Sequence, residues 1–185
     1  MTVSSTVRKA GPFTGDGAAT VFPFPFKAFT NEDLEVITLP AGSSTENILV
    51  LDHDYSVSLN ADQDVSPGGS ITLLLGGLAS GTTLIITTAI PELQQTDITN
   101  GGGFYPEVIT DALDYLTILV QQLEITVESS LHFPLSDSGS AIAELPPAAQ
   151  RANKFLSFDN NGNPTVSVSP GYTAALSRIS GTILE

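Results

Sequence analysis

The chain has no cysteine and no tryptophan, one methionine, and only six lysines and arginines among 185 residues. Without cysteine, disulfides, thiolate chemistry and Cys-ligated zinc are excluded, while the redox compartment stays open. No apolar run approaches the ~20 residues of a membrane span. The opening stretch MTVSSTVRKAGPF lacks the apolar centre of a secretory signal. The shortage of cations is also uneven. Arg8, Lys9 and Lys27 come early, Arg151, Lys154 and Arg178 come late, and none lies in 28–150. Against 20 acidic residues the formal net charge is −14. Such a surface repels phosphate, so no nucleic-acid partner is expected. The basic ends suit acidic partners. Arg8, Lys9, Lys27, Arg151 and Lys154, with Phe155 and Phe158 beside the last of these, are the candidate docking residues.

What is present begins with short β-like runs. Phe22, Phe24 and Phe26 recur every second residue, which places them on one face of an extended segment. Pro23 and Pro25 between them cannot donate to a ladder, so this is an edge strand or a polyproline-like strip. A docking role for the strip is conceivable, but core filling is the better reading, because exposed phenylalanines would be a liability. Further strands are predicted over 34–39, 48–51, 55–59, 71–75 and 82–90, with a polar loop over 60–69. Short runs at this spacing, divided by Gly, Pro and Asn, indicate an antiparallel sandwich or barrel.

One long segment, 106–130, reads as a helix. Pro106 suits its first turn, Glu107, Asp111 and Asp114 favour the positive end of its dipole, and Gly101, Gly102 and Gly103 form a hinge before it. A heptad with Ile109 at a places Ala112, Leu116, Leu119, Leu123 and Thr126 at the other a and d positions, and Leu113, Val120 and Val127 at e. Glu107, Asp114, Gln121 and Glu128 fall together at f, as a solvated stripe. The e and g positions carry none of the complementary charges of a two-stranded coil. The apolar face is wide enough for more than one neighbour. Burial inside a monomeric domain is one reading. Self-association through Ile109, Ala112, Leu113, Leu116, Leu119, Val120 and Leu123 is the sharper one.

After the helix, 131–147 reads as an extended linker. Residues 155–158 and 165–168, joined through Asp159 to Asn163 with an Asn-Gly turn, have the signature of a β-hairpin. A lone hairpin is marginally stable, so it should pair with another chain. Residues 173–185 read as a short helix or an arm. The expected organisation is an arm over 1–12, a β-sandwich attachment domain over 13–100, a trimerising helix over 101–130, and a linker with hairpin for distal docking over 131–185. The fold class is mainly β: a sandwich or barrel, then one long helix and an extended arm.

Catalytic and metal patterns are weak. Asn60, Asp62 and Asp64 mimic the start of an EF-hand loop, but Val65 and Ile71 occupy the required Gly and Glu positions. Asp52, His53 and Asp54 are three donors in a row and the one metal candidate left open, although consecutive residues seldom converge on an ion. His132, beside Phe133, reads as a loop residue. No Ser lies in a nucleophile elbow, and Gly15-x-Gly17 lacks the third Gly of a dinucleotide turn. We expect no catalytic residue, no cofactor and no metal.

The ordered set TVFPFPFKAFTNEDLEVI, LDHDYSVS, GGSITLL, GTTLIITTAIPELQQTDI and FYPEVITDALDYLTILVQQL resembles the N-terminal attachment module of tail-fibre and tailspike proteins of short-tailed bacteriophages. The likeness covers roughly residues 11–130. It departs from the family at Ile85 to Ile90, where the family commonly has an Arg, so the contact made by that Arg is not carried over. Residues 151–164 are similar to a linker in such fibres. The resemblance implies a structural virion protein rather than an enzyme. It would be a homotrimer in the tail, assembled in the host cytoplasm, docking on a portal-proximal tail protein and carrying a distal receptor-binding protein. Because the chain stops soon after the linker, an adaptor is expected ahead of the front of a longer fibre. The alternatives are the first part of a polysaccharide-degrading tailspike and a monomeric carbohydrate-binding β domain.

Overall fold

A computed structural model describes residues 3, 5–97, 105–134, 136–137 and 144–168. The chain divides into two compact units, Met1–Ser129 and Ser130–Glu185. The Gly101 to Gly103 hinge, Arg178 and the predicted element over 173–185 lie outside the described residues.

The first unit carries β1 (Lys9–Thr14), β2 (Val21–Phe24), a 3-10 turn (Asn31–Asp33), β3 (Leu34–Leu39), β4 (Asn47–Ile48), β5 (Tyr55–Leu59), β6 (Gly69–Leu73), β7 (Thr83–Thr88) and α1 (Pro106–Glu128). The strands form two open antiparallel sheets in the orders β1-β7-β3-β4 and β2-β6-β5, not one closed barrel. Alternation decides which side chains enter the core. On β3 Leu34, Val36 and Thr38 point inward, and on β7 Thr88, Ile86 and Leu84 do the same. These are directly opposite one another in register: Leu34 with Thr88, Val36 with Ile86, Thr38 with Leu84. From the other sheet come Phe22, Phe24, Tyr55 and Ile71, and all join one core. Tyr55 links the sheets by donating its hydroxyl to the Leu34 carbonyl at 3.1 Å.

The phenylalanine strip fills the core as predicted. Phe22, Phe24 and Phe26 are buried, and Phe24 stacks on Phe26 with centroids 5.1 Å apart. Burial of each contributes about 1.5–3 kcal/mol relative to exposure. Pro23 is tolerated because β2 is an edge strand with β6 as its only ladder partner.

Several boundaries move: the strand expected over 71–75 runs Gly69–Leu73, taking in the end of the expected loop, and the strand expected over 82–90 is shorter, Thr83–Thr88. Residues 9–12, expected in the arm, belong to β1, whose register with β7 slips between Ala10 and Phe13. Gly11 makes the irregularity by adopting φ +102°, where a Cβ would meet the Leu84 carbonyl oxygen at 2.7 Å. The strand expected over 48–51 shrinks to Asn47–Ile48. Beyond it the Val50 N–H donates to the Asp54 carboxylate at 2.8 Å, turning the chain before a ladder can extend.

The second unit contains α2 (Ala148–Arg151), β8 (Phe155–Phe158) and β9 (Pro164–Ser167), the two strands pairing antiparallel. Asp159 closes the turn between them. Its carboxylate accepts the N–H groups of Asn161 (2.8 Å) and Asn163 (2.9 Å), while Gly162 adopts φ +81°. Among the described residues no helix is long and apolar enough to cross a membrane.

Candidate assembly surface

Helix α1 begins at Pro106 and carries Glu107 in its first turn. The hydroxyls of Thr110, Thr117 and Thr126 donate back to the carbonyls of Pro106, Leu113 and Gln122, so these polar residues are satisfied within the helix.

The side turned towards the strands is largely polar. Asp114 is only 2% exposed. Its carboxylate accepts from the Lys27 ammonium at 2.8 Å and from the Val3 N–H at 2.9 Å. Lys27 also reaches Asp64 at 2.7 Å and lies over the Phe29 ring, 5.1 Å from its centre. About two turns further along, Gln121 accepts from Arg8 Nε at 2.5 Å and donates to the Ser5 carbonyl at 3.2 Å. Arg8, 2% exposed, donates in addition to the carbonyls of Lys27 and Ser5. Gln122 clamps the backbone of Ile90, accepting its N–H at 3.0 Å and donating to its carbonyl at 3.3 Å. Tyr115 packs on Phe29 and donates its hydroxyl to the Pro91 carbonyl. Ile118 is the one apolar side chain of α1 that is fully buried.

Electrostatics follow from this crowding. Burial alone would lower the Lys27 pKa, but hydrogen bonds to Asp114 and Asp64 outweigh it and hold the ammonium above its ordinary value. The same Lys27 contact holds the Asp64 carboxyl below its ordinary value. Burial pushes the Arg8 guanidinium down, partly countered by the charge of Asp114.

The f stripe is therefore corrected in part, since Glu107 and Glu128 are exposed as expected. Asp114 is buried and Gln121 half-buried; they form the helix's seat on the strands, because Arg8 and Lys27 wait there to pair with them. Arg8 and Lys27, singled out for docking, are buried within the unit and hydrogen-bonded to Gln121 and Asp114. Lys9, Arg151, Lys154, Phe155 and Phe158 are exposed.

The opposite side of α1 is apolar and open. Leu113 (58%), Leu116 (57%), Val120 (60%) and Leu123 (62%) are well exposed, flanked by Ile109 and Val127. Ala112 and Leu119 are half-buried beside them. Ile109, Leu113, Leu116, Val120, Leu123 and Val127 are spaced 4, 3, 4, 3 and 4 apart, with Val108, also exposed, outside this run. That is the a/d alternation of a coiled coil, with Leu113, Val120 and Val127 at a and Ile109, Leu116 and Leu123 at d. In this phase Ala112 and Leu119 are g residues, and the seat residues Asp114, Tyr115, Ile118, Gln121 and Gln122 fall at b, c and f. Leu93, exposed in the connector before α1, was not singled out from sequence. It lines a groove of about 450 Å³ against Ile109, Ala112, Leu113, Leu116 and Leu119.

In the second unit Leu156 and Phe158 line a groove of about 310 Å³ with Leu131, Phe133, Leu145 and Pro164. His132 is exposed and its Nδ1 meets the Ser130 carbonyl at 3.0 Å. Asp54, the last residue of the metal candidate, is occupied by the Val50 N–H and by His53 Nδ1 at 2.7 Å. Among the described residues no three His, Asp or Glu groups converge as a metal-ligand set.

No family model matches the chain. Over 90% of its length the chain is 30% identical to the tail spike protein of Salmonella phage epsilon15. That similarity supports a phage tail protein. The chain spans 20% of the length of that relative.

Proposed function

We propose that the chain is a structural attachment module of a phage tail fibre or tailspike. Three copies join through α1, and the two facing sheets act as a sandwich that docks on a portal-proximal tail protein. The second unit leads to a receptor-binding element, as a separate chain or as the continuation of a longer fibre. One observation carries the reading: α1 turns its polar side to its own strands and leaves a coiled-coil seam uncovered. An isolated domain gains nothing from that orientation, whereas a helix meant for its own kind gains a seam. Three copies are favoured over two because Ala112 and Leu119 at g extend the apolar surface sideways. The helix also has no Lys or Arg to form the e–g pairs typical of two strands.

The role is structural and not catalytic in this reading. A gold-labelled antibody to the chain, applied to intact particles, should decorate the tail; label on the capsid alone contradicts the proposal. Host surface polysaccharide incubated with the purified chain should release no new reducing ends. Release would favour the polysaccharide-degrading tailspike reading, which the similarity to a tail spike protein keeps in view.

A further inference from the structure

We infer that the connector over residues 92–96 is a clasp for the α1 helix of a neighbouring copy, with Leu93 as its closing side chain. The inference rests on the trimer reading and specifies a second part of that interface. The connector is pinned at its root. Gln122 holds Ile90 by two hydrogen bonds, Tyr115 holds the Pro91 carbonyl, and the Leu93 N–H turns back to that carbonyl at 2.8 Å. From this fixed base Leu93 projects with 70% of its surface exposed. It does not close on its own helix. A groove of about 450 Å³ separates them, walled by Ile109, Ala112, Leu113, Leu116 and Leu119.

That wall is the seam itself and its g flank, so whatever covers the seam also enters the groove. A helix with the same period fits best. In a parallel seam each g residue faces the e residue of the following heptad on its neighbour. Ala112 at g therefore meets Thr117 of the partner subunit, which arrives under Leu93. Within one chain Thr117 is five residues past Ala112, roughly 140° around the helix, and turned away from the connector.

The absence of cysteine makes the test clean. The full chain carrying Leu93→Cys together with Thr117→Cys, oxidised and run on a denaturing non-reducing gel, should give two- and three-chain bands that neither single variant gives. Leu93→Ser should weaken association on the order of tenfold in a sedimentation dilution series. If the unsubstituted chain sediments as a trimer but the double variant gives no inter-chain band, the clasp is wrong and the seam stands. If the unsubstituted chain sediments as a monomer, the trimer reading fails and the clasp falls with it.

Discussion

The two faces of α1 invert the usual arrangement of a surface helix, which buries its apolar stripe and shows its charges to water. Here the inner face holds Asp114, Gln121 and Gln122 on Lys27, Arg8 and Ile90, and the outer face shows Leu113, Leu116, Val120 and Leu123. The strands beneath keep the normal order, with Phe22, Phe24, Ile71, Leu84 and Ile86 inside. The contrast teaches that position and stability come from different contacts. A buried ion pair adds little net stability but is severe when half of it is lost. It fixes where the helix sits, and thereby which residues form the seam. In the proposed trimer the large favourable term, apolar burial, falls to the outer face.

Damage to the outer face should have the largest effect. Leu116→Asp places a charge at the middle of the seam and should abolish association at micromolar concentration. Near-ultraviolet circular dichroism and the unfolding of the β unit should stay as they were. A variant of unchanged mass would disprove the seam.

The inner face is best probed in that dissociated background. Lys27→Met should cost about 3–5 kcal/mol in denaturant unfolding, because it strands the Asp114 carboxylate in the seat. Adding Asp114→Leu should restore most of the loss, since an apolar pair of similar volume is often neutral. If Lys27→Met alone costs nothing, the seat is not held by the pair.

pH should act on the neighbouring Lys27–Asp64 pair at its extremes. Asp64 is held below its ordinary 3.8, so its contribution is present above that value and lost as pH falls through the lowered one. Lys27 is held above its ordinary 10.5, so its contribution is full below that value and lost as pH rises through the raised one. The thermal midpoint should be flat between about pH 5 and 9 and fall at both edges, and Lys27→Met should flatten the alkaline edge. A midpoint that changes steeply near neutrality would contradict this assignment.

Smallest is the clamp at the end of the seat. Gln122→Ala removes two hydrogen bonds to Ile90 and should cost about 1–2 kcal/mol in the same unfolding measurement. A cost no larger than that of an exposed surface substitution would mean the clamp is idle.

Much of the β unit was legible in the residues. The strands over 34–39 and 55–59 match the predicted limits, because clean alternation between turn residues leaves little choice. The helix and its start were legible from Pro106 and the 3.6-residue pattern. Its phase was not. Placing Asp114 and Gln121 on a wet stripe follows from treating polar residues as surface residues. Their partners Lys27 and Arg8 lie 87 and 113 residues away, a separation no local pattern reports. Once those contacts turn the helix, the seam reads 109, 113, 116, 120, 123, 127 in place of the expected 109, 112, 116, 119, 123, 126. Leu93 escaped notice for the same reason: its meaning depends on a groove made by residues far along the chain.

Salt should sharpen the contrast between the faces. Three chains of −14 would bring −42 formal charges together in the proposed trimer, so screening should favour assembly. The most direct measurement is sedimentation equilibrium of the full chain at micromolar concentration and physiological salt. The account predicts a species of three times 19.3 kDa. A single 19.3 kDa species under those conditions, with Leu116 and Leu123 still facing water, would contradict it.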